Sequence, residues 1–207
     1  IILGDAEMLA QDIAPGDPGW ASVDAILRAG RRAKEVVERL LNMTWRDDKP
    51  QLVDVNQTLE DTLAWIDSHL MRADVELEVE LDPDLPLIEA IPGQLEDVWL
   101  NLLTNARDAM VPERQGCVQV QTRQAADDEW IEISVSDNGC GIEQEHLSQV
   151  FDPFFTTTPR GEGTGLGLYI CYLIVTQHRG TISVDSKPDG GTQVTIRFPV
   201  AVLPAQE

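Results

Sequence analysis

The apolar positions of the first 48 residues fall on two helical stripes. Ile2, Ala6, Leu9 and Ile13 are spaced by 4, 3 and 4, the repeat of one helix face. Ala14-Pro15-Gly16-Asp17-Pro18-Gly19 then interrupts the pattern with helix breakers. Beyond it Val23, Ile26, Gly30, Ala33, Val37, Leu40 and Thr44 step by 3 and 4 in strict alternation, the a and d positions of a heptad seam. A connection this short predicts antiparallel neighbours. The seam fits either the hairpin's own domain or a second copy completing an intermolecular four-helix bundle. The second is preferred, because a hairpin alone buries its seam poorly.

The pattern changes at Lys49-Pro50. Gln51–Val55 reads as a short strand, and Asn56 as the cap of a helix running to about Met71. Val75 to Leu81 alternates Val-Glu-Leu-Glu-Val-Glu-Leu, a strand with one buried and one solvated face. A strong helix is predicted over Gln94–Met110, a hairpin over Cys117–Arg123 and Trp130–Ser136, and a short helix near Glu143–Val150. A helix over Gly165–His178 follows, then a last hairpin, Thr181–Ser186 and Thr192–Phe198, around Asp189-Gly190-Gly191. Helices and strands alternate irregularly. That predicts an α+β fold, a mixed sheet with helices on one face, over 49–207, preceded by a truncated antiparallel helical hairpin over 1–48.

Composition narrows the possible partners. With 15 Lys and Arg against 36 Asp and Glu, the net charge of the 207 residues is −21. A nucleic-acid binder needs a basic face, and an anionic membrane surface would repel this chain. The start, Ile-Ile-Leu-Gly-Asp-Ala-Glu, has no basic leader and enters an amphipathic segment at once, so the chain reads as a piece of a longer protein. Cys117, Cys140 and Cys171 are too few and too scattered for a disulfide framework or a zinc site and suit a reducing, cytoplasmic setting. Glu76, Glu78, Glu80 and Asp82 read as a solvated face, with no metal role.

Three segments carry candidate chemistry. On the helix Gln94–Met110, Leu95, Val98, Leu102, Ala106 and Ala109 share a stripe, and Gln94, Asn101, Asn105 and Asp108 line its border. Amides there offer an oxygen to a hard cation and a donor to phosphate. Asp137-Asn138-Gly139-Cys140-Gly141-Ile142 ends a strand. It is either a plain Asp-Asn-Gly turn or a place where the backbone meets a flat ligand and Asp137 accepts from an exocyclic amine. Gly161, Gly163, Gly165 and Gly167 alternate directly into a helix start, whose N–H groups attract phosphate. This is neither the dinucleotide GxGxxG nor a P-loop, since it follows no first strand and lacks GK[ST].

Taken in order, Asn101-Leu-Leu-Thr-Asn105-Ala-Arg-Asp-Ala, Asp137-Asn-Gly-Cys-Gly141, Phe151-Asp-Pro-Phe-Phe155-Thr-Thr and Gly163-Thr-Gly-Leu-Gly-Leu168 resemble the N, G1, F and G2 boxes of sensor histidine kinases of the GHKL superfamily. The resemblance covers Leu52 to Phe198. Residues 1–48 are similar to the lower part of the family's dimerisation and phosphotransfer hairpin. It implies a Bergerat-type α/β sandwich, ATP and Mg²⁺ as cofactors, a homodimer through the hairpin, and a response-regulator receiver domain as partner. Asp137 would accept the adenine amino hydrogen in a pocket shaped by Gly139, Gly141 and Ile142. Asn105 would hold Mg²⁺, with Asn101 and Asp108 near the phosphates. Gly163, Thr164, Gly165, Leu166, Gly167 and Leu168 would form the lid base, with Arg160 on the lid and Phe151, Phe154 and Phe155 anchoring it. The phosphate acceptor, a histidine on the first hairpin helix, is expected upstream of Ile1; His69, His146 and His178 match no acceptor motif.

The sequence also departs from its relatives. Thr158, Glu162 and Asp108 stand where lysines or other basic residues are common, which implies weak nucleotide affinity or strict Mg²⁺ dependence. Hydrolytic relatives place a glutamate base four residues before the Mg²⁺ asparagine; here that residue is Asn101, so fast hydrolysis is not expected. A nucleotide-binding pseudokinase scaffold and a protein-serine kinase or anti-sigma factor remain alternatives.

Overall fold

The computed structural model describes residues 2–14, 16–31, 49–72, 75–111, 114–157 and 164–202. The chain divides into two compact units, Ile1–Asp47 and Asp48–Glu207.

In the first unit, α1 spans Ile2–Asp12 and α2 is described over 20–31. Leu3 lies against Gly30, and Ile13 against Gly19, so the helices are antiparallel as their spacing predicts. Asp17 shapes the connection, taking the Ala14 N–H on Oδ2 and the Trp20 N–H on its carbonyl. Ala6, Val23 and Leu27 form the core, with Leu3, Ala10 and Ile13 around it. Within the hairpin the burial does not follow the predicted stripes throughout: Ile26 of the seam and Leu9 of α1 are exposed, and Leu27 is buried. Two helices alone bury only the i, i+4 row that faces the partner. Ala33, Val37, Leu40 and Thr44 lie outside the described residues.

The second unit begins with β1 (Gln51–Val53) and α3 (Val55–Arg72). The helix cap is Asp54 and not Asn56: Asp54 Oδ1 accepts the N–H groups of Asn56 and Gln57. Asn56 is drawn elsewhere, donating to Asp82 O at 2.7 Å and accepting from Thr122 Oγ1 at 2.9 Å. Then come β2 (Val75–Glu80), β3 (Ile88–Ala90), α4 (Pro92–Asp108), β4 (Gly116–Gln124), β5 (Trp130–Asp137), α5 (Gly167–Gln177), β6 (Thr181–Ser186) and β7 (Thr192–Pro199). The expected helix near Glu143–Val150 is only a 3₁₀ turn, Leu147–Gln149.

β1 and β3 form a small antiparallel pair, and the main sheet has the order β2-β4-β5-β7-β6. β2 runs parallel to β4 and every other pair is antiparallel, the expected mixed sheet. One face buries Val118, Val120, Ile131, Ile133, Val135, Val194, Ile196 and Phe198. Against it α4 brings Leu95, Val98, Trp99, Leu102 and Leu103, and α5 brings Ile170, Cys171, Ile174 and Val175. The other face carries Gln119, Gln121, Arg123, Glu132 and Arg197 and is polar, as an uncovered antiparallel face is. β2 keeps its alternation only at its start: Val75 is buried, but Val79 is 43% exposed near the end of an edge strand. Its glutamates pair across to β4, Glu78 with Gln119 and Glu80 with Gln121, so they are the solvated row the sequence predicts. Among the described residues no helix is long and apolar enough to cross a membrane.

α4 and α5 lie side by side and antiparallel, which positions the candidate site. Pro92 begins α4 where its missing N–H is no loss. At that end His178 Nε2 accepts the Ile91 N–H at 3.0 Å while Nδ1 meets Ile174 O at 2.8 Å. Midway, the Cys171 thiol contacts Val98 O. At the far end Gly167 meets Asn101 and Asn105.

Candidate nucleotide site

The site residues of α4 sit on its last two turns. A methyl group on Gly167 would lie 3.4 Å from both Nδ2 and Oδ1 of Asn105 and 3.5 Å from Oδ1 of Asn101. The start of α5 therefore abuts the two asparagines. Asn101 is steadied by donating Nδ2 to Asp97 O at 2.8 Å. The α5 N-cap, Leu166, supplies no side-chain oxygen. The first N–H groups of α5 are thus left uncapped by it, beside amide oxygens, which is the electrostatics an anion with a cation needs. Leu166 itself is buried, so only its backbone can serve a ligand. Asp108 is taken up by its neighbour: Arg107 donates Nε and Nη2 to Asp108 Oδ1 at 2.8 and 2.6 Å.

Asp137 ends β5, where the chain turns sharply. Its Oδ1 accepts the Gly139 N–H at 2.8 Å and the Thr192 N–H at 3.3 Å. Burial pushes its pKa up, while those two N–H groups and the charge of Arg114 pull it down. The glycines serve the protein's own backbone. A Cβ on Gly139 would lie 2.4 Å from Ala109 O, and one on Gly141, at φ +70°, would lie 2.0 Å from Lys187 O. The turn is pinned again by Cys140 N–H to Ala109 O and Asp189 N–H to Cys140 O, both 2.8 Å. Ile142 follows, donating its N–H to Ser186 Oγ at 2.9 Å.

In the aromatic segment Phe151 packs on Tyr172 and Phe155 on His146, with ring centroids 5.7 and 5.6 Å apart. Phe154 has φ +68° and is 64% exposed, and its backbone fills the space beside Gly165, itself at φ +67°. Two of the three phenylalanines thus anchor the segment by ring contacts. Thr164 and Leu168 flank the α5 start and are partly exposed. Thr158, Arg160, Gly161, Glu162 and Gly163 lie outside the described residues. Burial raises the Cys171 thiol pKa, and at Cys117 burial together with Glu78 and Glu76 does the same.

Sequence reasoning missed Arg114, Asn138 and Ser186. Asn138 accepts the Cys117 N–H and donates to Gln115 O, both at 2.9 Å, bracing the turn against β4. Ser186 joins the turn to the last hairpin through Gly191 O at 2.8 Å. Only Asp189-Gly190-Gly191, a plain turn signal, hinted that the last hairpin reaches Asp137.

Among the described residues no group of three or more His, Cys, Asp or Glu can hold a metal ion. Mg²⁺ carried by a polyphosphate takes only one or two protein oxygens, and a side-chain amide such as that of Asn105 could be one of them.

A mixed sheet under antiparallel helices, with two asparagines facing a glycine-led helix start and a half-buried aspartate in a glycine turn, is the architecture of the GHKL fold. The profile of the histidine kinase-, DNA gyrase B- and HSP90-like ATPase family matches residues 90–202. The sensor kinase CckA of Brucella abortus is 33% identical over 210 residues, 96% of this chain and 22% of that protein. A solved mycobacterial sensor histidine kinase, MprB, is 30% identical with a TM-score of 0.64, covering 74% of this chain and 99% of that one. At 20% identity the histidine kinase ThkA, solved in complex with the response regulator protein TrrA, shares the fold with a TM-score of 0.70 over 97% of this chain and 57% of that one. The chain belongs to the histidine kinase-, DNA gyrase B- and HSP90-like ATPase family, among the sensor histidine kinases. It spans about a fifth of CckA.

Proposed function

We propose that this chain is the ATP-binding, phosphoryl-donating part of a two-component histidine kinase. The observation that carries this reading is the meeting of Asn101 and Asn105 with Gly167 at the start of α5, whose N-cap Leu166 has no capping side chain, with Asp137 held in its glycine turn. Asp137 reads the adenine amino group through Oδ2, since Oδ1 already takes two N–H groups. Guanine would present a carbonyl there, setting two acceptors face to face. Gly139, Gly141 and Ile142 shape that pocket. Asn105 gives Mg²⁺ its amide oxygen, and Asn101 and Asp108 border the phosphates. The segment 163–168 supplies N–H groups to the phosphates, Arg160 adds a cation, and Phe154 belongs to the lid. Mg²⁺ held there would supply charge neutralisation to the phosphates during phosphoryl transfer. Asn101, an amide, does not activate water, so the phosphoryl group is kept for its protein acceptor.

The acceptor is a histidine expected upstream of Ile1, and the next acceptor an aspartate of a response regulator, the kind of partner ThkA has in its solved complex. Residues 1–48 act as part of the dimerisation hairpin and 49–207 as the catalytic domain, on the cytoplasmic side. The test uses this chain and labelled ATP with a longer chain that carries the upstream helix and Asn105→Ala. Acid-labile label on the longer chain is the expected result; confirmed ATP binding without transfer overturns kinase action. The Arg107–Asp108 pair favours a second reading, a nucleotide-binding scaffold, because it removes a cation from the phosphate end. AMPPNP affinity that is weak and strictly Mg²⁺-dependent fits both readings, and affinity equal with and without Mg²⁺ contradicts the role of Asn105.

A further inference from the structure

Arg114 lies between α4 and β4, outside every motif of the sequence, and reaches two other loops at once. Nη2 donates to the carbonyl oxygen of Gly139, and Nη1 donates to that of Asp189 at 3.1 Å. Both acceptors are neutral, so neither cancels the guanidinium charge. Gly139 is gripped from both sides, its N–H by Asp137 Oδ1 and its carbonyl by Arg114. Asp189 closes a ring of contacts by donating its N–H to Cys140 O. Other charged or titratable groups near this turn include Cys140 and Glu143 in the loop, Cys117 on β4, Asp185, Lys187 and Asp189 in the last hairpin, and Arg107 and Asp108, which pair with each other; Arg123 and Arg197 pair with Glu132 farther along the sheet. Burial raises the Asp137 pKa; the Gly139 and Thr192 N–H groups oppose that first, and the charge of Arg114 adds to them.

We propose that Arg114 is a positioning residue: by clamping Gly139 and Asp189 it fixes the Asp137 carboxylate as a hydrogen-bond acceptor, and so sets the preference of the pocket for a 6-aminopurine over a 6-oxopurine. This rests on Asp137 being the base-reading acceptor of the function proposed above. Arg114 acts through the turn and needs no contact with the ligand. A guanidinium suits the task because its planar fork spans two carbonyls that a single ammonium cannot hold equally well.

The test compares Arg114→Gln and Arg114→Lys with the unaltered chain. Two readouts need no ligand: hydrogen exchange of the Gly139 amide and carboxyl-carbon NMR titration of Asp137. The third is the ratio of ADP to inosine diphosphate affinity with Mg²⁺. For R114Q, Gly139 exchange should rise about tenfold or more, the Asp137 titration should move to higher pH, and the ADP preference should fall several-fold. R114K should restore most of the titration and little of the exchange protection. Unmoved titration and an unmoved affinity ratio overturn the proposal even if exchange rises, since Arg114 is then a loop brace only. Asp137→Asn separates the two levels. If D137N keeps the ADP preference, the base-reading assignment fails and the specificity of Arg114 with it. If D137N loses that preference while R114Q keeps it, the role of Arg114 alone fails.

Discussion

The role proposed for Asp137 sets two demands against each other, because burial disfavours its charge while reading an amino group would require it. Asp137→Asn separates them. The amide oxygen still satisfies Gly139 and Thr192, the desolvated charge is gone, and stability in urea should stay within about 1 kcal/mol of the parent. The amide nitrogen then takes the place of Oδ2, a donor facing the base, so equilibrium binding should shift from ADP toward inosine diphosphate. The pH dependence has a definite sign. The folded-state pKa lies above the unfolded value, so the folded form binds this proton more tightly. Its contribution to stability is greatest at low pH and is lost as pH rises through the raised pKa. D137N should lack that step in urea titrations across the acidic range, and ADP binding by the parent should weaken as pH falls through it. Glycine shows the same contrast between need and freedom. Gly141→Ala forces a Cβ to within 2.0 Å of Lys187 O at φ +70° and should lose about 2–4 kcal/mol in denaturant melts. Gly4→Ala meets nothing within 4 Å inside α1 and should gain about 0.5–1 kcal/mol of helix stability, read by circular dichroism.

At the scale of elements, the α4–α5 pair has a structural end and a chemical end. His178 closes the structural one, and His178→Ala leaves the buried Ile91 N–H without its acceptor. The expected loss is about 1–3 kcal/mol in denaturant unfolding, with Mg²⁺·ADP affinity nearly unchanged, because Asn105 and Gly167 lie at the other end. The repeats behind these elements were legible in the sequence. Period two named the sheet strands, the 3 and 4 spacing named α4 and α1, and the asparagine, glycine and phenylalanine boxes picked out segments that the structure brings together. What stayed hidden was decided by contacts distant in sequence. Asp54 and Asn56 are equally good caps by residue type, and Asn56 is claimed by Asp82 and Thr122, which no local pattern reveals. Ile26 fits the heptad better than Leu27, yet the face opposite α1 buries Leu27. Arg114 left no signal at all, because its acceptors are backbone carbonyls 25 and 75 residues away.

At the scale of the whole molecule, a chain of net charge −21 is proposed to take a polyanion. Glycine N–H groups, a helix start and Mg²⁺ act locally, whereas the global field repels at long range. Stopped-flow association of AMPPNP should therefore quicken as salt rises, since the screening length shrinks from about 30 Å at 0.01 M to about 8 Å at 0.15 M. A rate that falls with salt would show an attractive local field winning at distance. The last hairpin also bears on how the molecule is made. Thr192 holds the carboxylate of Asp137, a Cβ on Gly191 would lie 1.9 Å from Asp137 O, and β7 sits between β5 and β6. During synthesis the asparagines and the glycine turn leave the ribosome long before the strand that fixes them. Nucleotide therefore cannot act as an early folding template for this domain. A nascent chain arrested at Gly180 should emerge with its sheet open and the Asp137 turn unbraced, and nucleotide binding should arrive in one step with the final strand.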